Sequence, residues 1–272
     1  CIVYGSAQSQ SNAIPGLARF VGVAPNDLVF VAEYCGGGFG SKGGAYPMMA
    51  LSAHFSKKLN RPVQVRVSRD HEDYNGFGRP GFQGRFKIGF AENGRITAVD
   101  MYIVQDGGGN SGFGDFRSAG NAVSVVYQPE AMRWRGVPVI TNTAPRTAQR
   151  GPGENQIAMA IEPLIDRAAR ELKLDRIAIR RVNAPESAGK IGAEQTGLSS
   201  AFMKDAWDLV AQKWNWEQKK ALSGRRNGSK VTGIGYGQHY HSAGGRGFDG
   251  LVRITPEGKL HVHTGIGNLG TY

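Results

Sequence analysis

Apolar positions in the first part of the chain recur with the periods of short strands and helices. Residues 1–5 and 27–34 are predicted strands, the second because LVFVAEY mixes continuous and alternating apolar positions. Between them NAIPGLARFVG predicts a short helix, with Asn12 as a helix cap and Pro15 early, where proline is tolerated. A helix is predicted over 45–59. Alternating valines predict a strand over 61–70 that ends at Asp70.

The later pattern predicts two hairpins and several helices. RFKIGFAENGRITAVDMYIVQDGGG alternates on both sides of a turn at ENG, which is typical of a hairpin, and GLVRITPEGKLHVHTG has the same form. VPVI predicts a strand that leads into an irregular loop, and a strand is predicted from Val231. Helices are predicted over 154–173, over DRIAIRRVN and at about 200–213. The first of these carries its apolar face at Ile157, Ala160, Ile161, Leu164 and Ala168.

These predicted elements favour an α+β (mixed α/β) fold. Strands and helices mix without the strict alternation that a doubly wound parallel sheet requires. The stretch 184–197, APESAGKIGAEQTG, has the composition of a linker. We therefore predict a first domain over 1–185 and the beginning of a second over 186–272.

Composition and charge narrow the classes of function. Lys plus Arg exceed Asp plus Glu by 33 to 22, which gives a net charge of +11 and suits an anionic partner or cofactor. The positive residues are dispersed and no nucleic-acid-binding motif is evident, so we expect neither nucleic acid nor, without a long apolar run, a membrane span. Cys1 and Cys35 cannot by themselves ligate an iron–sulfur cluster or a structural zinc.

The beginning of the chain bears on its location and origin. CIVYGSAQSQ has no initiator Met and none of the features of a signal peptide. We therefore expect a processed chain or a piece of a longer protein. The expected location is the cytoplasm, or the periplasm if a partner carries an export signal.

The stretch EYCGGGFGSKGG is the strongest local signal of chemistry. Glycines there allow close approach of a ligand or unusual dihedral angles, and a tight turn without a ligand is the alternative. Gly38, Gly40 and Gly43 form a G-x-G-x-x-G pattern, and Asp70 could bind a ribose in a dinucleotide site. Asp70, however, lies further from the glycines than the acidic residue of a dinucleotide site usually does. A predicted hairpin also follows it, instead of another βαβ unit. A P-loop is excluded because Gly43, rather than Ser or Thr, follows Lys42.

A set of motifs in fixed order resembles a known family. GGGFGSK is similar to the cofactor loop GGGFGGK of the large subunit of the molybdenum hydroxylases, the xanthine dehydrogenase and aldehyde oxidase family. GSAQSQ (5–10), AQRGPGENQ (148–156), LDRIAIRRVN and GIGNLGT (265–271) resemble further segments of that subunit. By this resemblance 1–185 is a first cofactor-binding domain without its beginning, and 186–272 begins the second.

The resemblance implies a cofactor, a reaction and partners. The cofactor is molybdopterin, or molybdopterin cytosine dinucleotide, with molybdenum held through the pterin dithiolene and not by a direct protein ligand. The reaction is the oxidation of an aldehyde or an N-heterocycle with oxygen from water. Electrons pass to iron–sulfur clusters and FAD on partner chains. The catalytic Glu of the family would come from the remainder of the large subunit or from another chain.

The resemblance also assigns roles to individual residues. Gln8 would donate a hydrogen bond to an oxygen ligand of molybdenum, and Arg150 would stabilise negative charge on the substrate. Tyr240 and His241 would line the substrate pocket. Arg180 or Arg181 would meet a cofactor phosphate or lie on a solvated helix face. The expected cofactor contacts are Gly37, Gly38, Phe39, Gly40, Leu269, Gly270 and Thr271.

Departures from the family pattern affect the expected substrate, and two other functions remain open. Gly43 replaces the acidic residue of purine-specific members, and Gly151 replaces the copper-binding Cys of carbon monoxide dehydrogenases. Both activities are therefore disfavoured. One alternative is an NAD-dependent dehydrogenase that uses Gly38, Gly40 and Gly43. The other is a non-catalytic structural subunit of such a complex, with a basic surface that holds an acidic partner.

Overall fold

The fold mixes strands and helices, as the sequence predicts. The computed structural model describes residues 1–109, 114–238, 240–241 and 250–264. Its strands are β1 (Ile2–Tyr4), β2 (Val29–Val31), β3 (Phe82–Phe90), β4 (Ile96–Asp106), β5 (Ala131–Val139), β6 (Lys190–Ile191), β7 (Thr196–Gly197), β8 (Arg226–Asn227), β9 (Lys230–Val231), β10 (Gly250–Ile254) and β11 (Leu260–Thr264). Its α-helices are α1 (Gln10–Val21), α2 (Pro47–Leu59), α3 (Arg69–Asn75), α4 (Asp115–Tyr127), α5 (Glu154–Glu171), α6 (Arg176–Asn183), α7 (Met203–Trp214) and α8 (Trp216–Lys219).

The first unit packs α1 and α2 beside two short parallel strands. β1 pairs with β2, and Leu17 of α1 lies fully buried in the core of this unit. Ser9 caps α1, because its hydroxyl accepts a hydrogen bond from the Asn12 N–H at 3.3 Å. The prediction of Asn12 as the cap was wrong, since the helix begins before it. Gly22 ends α1 at φ 78°, a conformation that glycine adopts without strain.

A three-stranded sheet forms the second unit. β3 and β4 are antiparallel, which confirms the predicted hairpin, and β4 is parallel to β5. The parallel pair is connected through α4, a helix that the sequence analysis did not assign. Gly120 of α4 allows the helix to approach the sheet, since a Cβ there would lie 2.2 Å from Trp134 Nε1.

The main core lies between the sheet and helices α4 and α5. Buried residues of the sheet, such as Met101 and Ile103, pack with Ile157, Ile161 and Ile165 of α5. The predicted face of α5 is confirmed at Ile157, Ile161 and Ala168, while Ala160 is half-buried against the core. Ile165 is fully buried, whereas Leu164 is only half-buried.

One predicted strand is absent and is replaced by a helix. Residues 61–68 form no strand, and Asp70 lies in α3. Val65 and Val67 are 38% and 39% exposed. The alternating valines therefore satisfy the strand pattern without finding a neighbouring strand among the described residues.

The last part of the chain forms smaller elements. α7 covers the helix predicted at about 200–213, and β10 pairs with β11 as the predicted terminal hairpin. Trp207 and Trp216 are buried with Ile177 of α6 in a separate cluster. Asp175 caps α6 and also accepts a hydrogen bond from Trp216 Nε1 at 2.9 Å. Among the described helices, none has the length and apolar character needed to cross a membrane.

Candidate cofactor site

The glycine-rich loop after β2 folds into tight turns with unusual backbone angles. Phe39 has φ 50° and Gly40 has φ 111°, both in the region that side chains disfavour. The Ser41 N–H donates to the Gly38 carbonyl at 2.9 Å, and the Gly43 N–H donates to the Gly40 carbonyl at 3.1 Å. The Phe39 side chain is 46% exposed, so this phenylalanine is not a core residue.

Gln8 holds this loop through its side-chain carbonyl. Oε1 accepts hydrogen bonds from the Gly40 N–H at 2.8 Å and the Lys42 N–H at 3.1 Å. Two N–H donors can face only the amide oxygen, so this contact fixes which end of the amide is which. No described residue accepts a hydrogen bond from Nε2. Gln8 does not cap α1, because Ser9 does.

The loop that contains Arg150 packs directly on the glycine-rich loop. The Arg150 N–H donates to the Phe39 carbonyl at 2.6 Å. A Cβ on Gly40 would lie 2.2 Å from the Ala148 carbonyl oxygen, so only glycine fits at this crossing. The structure therefore brings together Gln8, Phe39 and Arg150, three residues that are far apart in sequence.

Arg79 holds the Arg150 loop from the other side. Its guanidinium donates to the carbonyls of Arg150 at 2.6 Å and Gly151 at 3.0 Å. Backbone pairing between Gly78 and Arg146 places Arg79 beside this loop. Sequence analysis missed Arg79, because a single arginine in a loop rich in turn residues carries no local signal.

Gln156 and Gly153 connect the Arg150 loop to the start of α5. Gln156 Oε1 accepts from the Gly153 N–H at 3.0 Å, and Gln156 Nε2 donates to Asp115 Oδ2 at 3.2 Å. Gly153 has φ 77°, and a Cβ there would lie 1.9 Å from the Asp115 carbonyl oxygen. Both the backbone angle and the close approach therefore require glycine at this position.

Asp115 is a fully buried acid beneath this loop. Burial raises its pKa to about 6, although the hydrogen bond from Gln156 and the charge of Arg79 act in the opposite direction. Its Oδ1 atom is buried and has no hydrogen-bond partner among the residues that the structure describes. Asp115 therefore takes up a proton more readily than an ordinary aspartate.

The expected pocket residues Tyr240 and His241 lie next to the Arg150 loop. His241 Nδ1 donates to Glu154 Oε2 at 2.6 Å, and the Glu154 side chain is only 4% exposed. Burial, and next the charge of Glu154, raise the pKa of Tyr240. Sequence analysis assigned no role to Glu154, although this residue lies within the motif AQRGPGENQ.

Three expected cofactor contacts, Leu269, Gly270 and Thr271, lie outside the described residues.

The expectation for Arg180 was wrong. Arg180 is fully buried and donates to Glu162 Oε2 at 2.7 Å and Asp166 Oδ1 at 2.7 Å, so it meets neither a phosphate nor solvent. Arg181 pairs with Asp208.

The loop leaves its backbone open to a bound pterin at Gly36, whereas Gly37 and Gly38 are required by packing within the protein. A Cβ on Gly38 would meet Gln8 Oε1 at 2.5 Å, and a Cβ on Gly37 would meet the Phe39 ring at 2.6 Å. Gly36, by contrast, has open space where a ligand could lie. The arrangement does not fit the dinucleotide alternative, because Asp70 lies in a helix and not at the end of a strand.

Comparison with known proteins agrees with this geometry. A family model for a molybdopterin cofactor-binding domain matches residues 1–184. The chain belongs to this family. It is 27% identical over 269 residues to an indole-3-acetaldehyde oxidase of Arabidopsis thaliana, covering 96% of this chain and 20% of that protein. It is 26% identical to the aldehyde oxidoreductase molybdenum-binding subunit PaoC of Escherichia coli, covering 94% of this chain and 34% of that subunit.

Solved structures support the same fold. The aldehyde oxidoreductase of Desulfovibrio gigas is 25% identical to the chain, with a TM-score of 0.79 over 97% of this chain and 29% of that protein. The quinoline 2-oxidoreductase of Pseudomonas putida has a TM-score of 0.78 at 24% identity. The molybdopterin-binding chain thus spans about a fifth to a third of the relatives that it matches.

Proposed function

We propose that the chain is the cofactor-holding part of a molybdenum-dependent oxidoreductase. The observation that carries this proposal is the convergence of Gln8, the glycine-rich loop and the Arg150 loop. Gln8 and Arg150 contact the same turn from two sides, through Gly40 and Phe39. We call this arrangement of Gln8, the glycine-rich loop and the Arg150 loop the cradle. It suits a planar cofactor that is held by backbone and side-chain hydrogen bonds, since no described residue takes up the Gln8 Nε2 donor.

Each group of the cradle has a defined task in this proposal. Gln8 Nε2 would donate a hydrogen bond toward a bound molybdenum group, because Oε1 already accepts hydrogen bonds from the loop. The backbone of the glycine-rich loop would hold the pterin at Gly37, Gly38, Phe39 and Gly40. When bound, the molybdenum cofactor supplies the two-electron oxidation that protein side chains cannot perform. Leu269, Gly270 and Thr271 complete the contacts in this proposal.

The proposed substrate is an aldehyde. The relatives named above include aldehyde oxidases and an aldehyde oxidoreductase subunit. Arg150 would stabilise negative charge that builds on the substrate oxygen, because the cation needs no reorganisation during the reaction. Tyr240 and His241 form the adjacent wall, and the pair of His241 with Glu154 fixes its position. An N-heterocycle would be the second substrate class.

The remaining parts of the enzyme lie outside this chain in the proposal. The rest of a longer subunit or another chain supplies the general base, and iron–sulfur and flavin groups on partners accept the electrons. Residues 1–185 would form most of the first cofactor-binding domain, with 186–272 the beginning of the second. We expect the assembly to be cytoplasmic.

Two variants of Gln8 in the complete protein separate its two hydrogen-bonding ends. Gln8→Glu keeps an oxygen for the Gly40 and Lys42 N–H groups and removes the Nε2 donor, so molybdenum content should stay near the wild-type value. Turnover of an aldehyde should fall by about 100-fold, since one donor to charge in a transition state contributes about 3 kcal/mol. Gln8→Ala removes both ends and should lower molybdenum content as well. Metal analysis and steady-state kinetics measure both effects.

Two results would contradict the proposal. One is a wild-type protein that contains no molybdenum when its producing cell makes the cofactor. The other is a Gln8→Glu variant with full molybdenum content and full turnover, which would remove the role of Nε2. Asn12→Ala on the exposed side of α1 is the matched control, and it should leave both quantities unchanged.

A further inference from the structure

The three-stranded sheet has one face that no other described element covers. Its opposite face packs on α4 and α5 through Met101 and Ile103. On the uncovered face the side chains of β3, β4 and β5 lie in rows set by the register. Arg85 is opposite Tyr102, and Tyr102 is opposite Arg135. We call the residues Arg85, Lys87, Asp100, Tyr102, Arg133 and Arg135 the basic sheet face.

The basic sheet face carries an excess of positive charge. The next row places Lys87 opposite Asp100 and Asp100 opposite Arg133. Arg133 Nε and Nη2 donate to Asp100 Oδ1 at 3.0 Å and Oδ2 at 2.7 Å. The charges of these two residues therefore cancel. Arg85, Lys87 and Arg135 form no salt bridge with any described residue. Three cations thus face outward around one internally satisfied ion pair.

Aromatic and apolar groups lie between these cations. The Arg135 guanidinium stacks over the Tyr102 ring at 5.5 Å from its centroid, and this ring is 38% exposed. Val137, in the adjacent row, is 43% exposed. A depression of about 360 Å³ is lined by residues of this face, and its size suits an inserted side chain. Arginine and tyrosine beside an apolar centre are typical of protein interfaces.

We propose that the basic sheet face docks an acidic protein surface whose carboxylates surround a small apolar centre. Contact with the Tyr102 ring restrains the Arg135 guanidinium, and a guanidinium can bind a carboxylate with two parallel hydrogen bonds. Arg85 and Lys87 provide further partners on the neighbouring strand. This inference goes beyond the proposed function, because the face lies on the side of the sheet away from α4 and α5.

Other occupants fit the face less well. A second copy would bring the same cations against themselves, because a twofold interface uses one patch twice, and the chain already has a net charge of +11. Nucleic acid would meet Asp100 and exposed apolar groups inside the patch, where phosphate binding favours an uninterrupted row of cations. A carboxylate-bearing protein surface satisfies both the cations and the apolar centre.

The test measures binding of two defined probes to the complete protein. The first is a labelled peptide of alternating glutamate and valine, and the second is an oligothymidylate with the same number of charges. At physiological salt the peptide should bind more tightly than the oligonucleotide. Arg85→Glu with Arg135→Glu should weaken peptide binding about 10-fold or more, since charge reversal replaces attraction with repulsion. Molybdenum content and melting temperature should stay unchanged, which separates this inference from the proposed function.

A matched control distinguishes a defined surface from overall charge. Arg226→Glu with Lys230→Glu makes the same change in net charge on the exposed pair β8 and β9, and it should alter peptide binding less than 2-fold. Equal weakening by both double variants would overturn the proposal. So would tighter binding of the oligonucleotide, a dimer that the Arg85 and Arg135 variant dissolves, or a Lys87 amine that reagents cannot reach in the complete protein.

Discussion

At the scale of single residues, the backbone and the side chain of Arg150 have separate roles. The Arg150 backbone is fixed by Phe39 on one side and by Arg79 on the other. The proposed task of the Arg150 side chain is separate from this anchoring. We therefore expect substitutions of Arg79 and of Arg150 to have different effects on molybdenum content and on turnover.

Arg150→Ala should lower turnover while leaving molybdenum content near the wild-type value. Arg79→Ala should lower the molybdenum content itself, because it removes the guanidinium that donates to the carbonyls of Arg150 and Gly151 and leaves them only the contacts from Asn155 at 3.1 and 3.2 Å. Metal analysis with aldehyde turnover measures both variants in the complete protein. Full turnover per molybdenum in Arg150→Ala would remove the role assigned to its side chain.

Asp115 predicts a specific dependence of stability on pH. Its folded-state pKa of about 6 lies above the ordinary value, so the native state binds more protons than the unfolded state between pH 4 and 6. The group therefore lowers stability as pH rises through this range, by about 3 kcal/mol in total. Asp115→Asn removes the ionisation and should flatten this dependence.

Urea unfolding at pH 4.5 and pH 7.5 measures the effect of Asp115→Asn. The wild type should lose stability relative to the variant at the higher pH, where only the wild-type side chain is ionised. An unchanged difference between the two proteins at both pH values would show that Asp115 titrates normally.

At the scale of elements, the site depends on segments that run between strands. Asp106 at the end of β4 accepts hydrogen bonds from Thr141 at 2.5 Å and from Arg146 at 2.9 Å. It also accepts from the Gly108 N–H at 3.0 Å. These contacts tie the chain after β5 to the sheet, and that chain leads into the Arg150 loop.

Asp106→Asn should destabilise the fold at neutral pH. Burial opposes its charge, but the hydrogen bonds from Thr141 and Gly108 and the contact with Arg146 lower its pKa to about 2. The carboxylate therefore contributes about 2 kcal/mol above its ordinary pKa, and this is lost as pH falls through 2. Denaturant unfolding at pH 7 should show a loss of this order that shrinks toward pH 2. A constant loss at both pH values would contradict the role of the charge.

The sequence predicts elements well where the pattern and the contacts agree. The hairpin of β3 and β4 is confirmed, since its alternating residues face a core on one side. α4 was not predicted, and 61–70 was wrongly predicted as a strand. Val65 and Val67 alternate correctly, but a strand also needs a neighbour, and pairing of distant segments cannot be seen in a local pattern.

The candidate site also contains residues that a local motif predicts and residues that only distant contacts explain. Gln8, Phe39 and Arg150 were identified from motifs, and the structure brings them together. Arg79 and Asp115 were missed because their contacts span long distances along the chain. Burial raises the pKa of Asp115, and burial is a property of the folded core and not of neighbouring residues in sequence.

At the scale of the whole molecule, two hydrophobic cores support one cradle. The core of the first unit lies next to Gln8 and the glycine-rich loop, and the main core supports the start of α5 after the Arg150 loop. The cradle therefore lies between segments from both units. Its closest crossing is at Gly40, where a side chain would collide with the Ala148 carbonyl.

The most direct test of the account is the molybdenum content of the complete protein with one methyl group added at this crossing. Wild type and Gly43→Ala, where the nearest atom to a new Cβ is 3.3 Å away, should each hold close to one molybdenum per chain. Gly40→Ala should lose most of the metal, because the backbone there has a positive φ and the new Cβ would lie 2.2 Å from the Ala148 carbonyl oxygen. Equal molybdenum in Gly40→Ala and wild type, or none in wild type, would contradict the central claim.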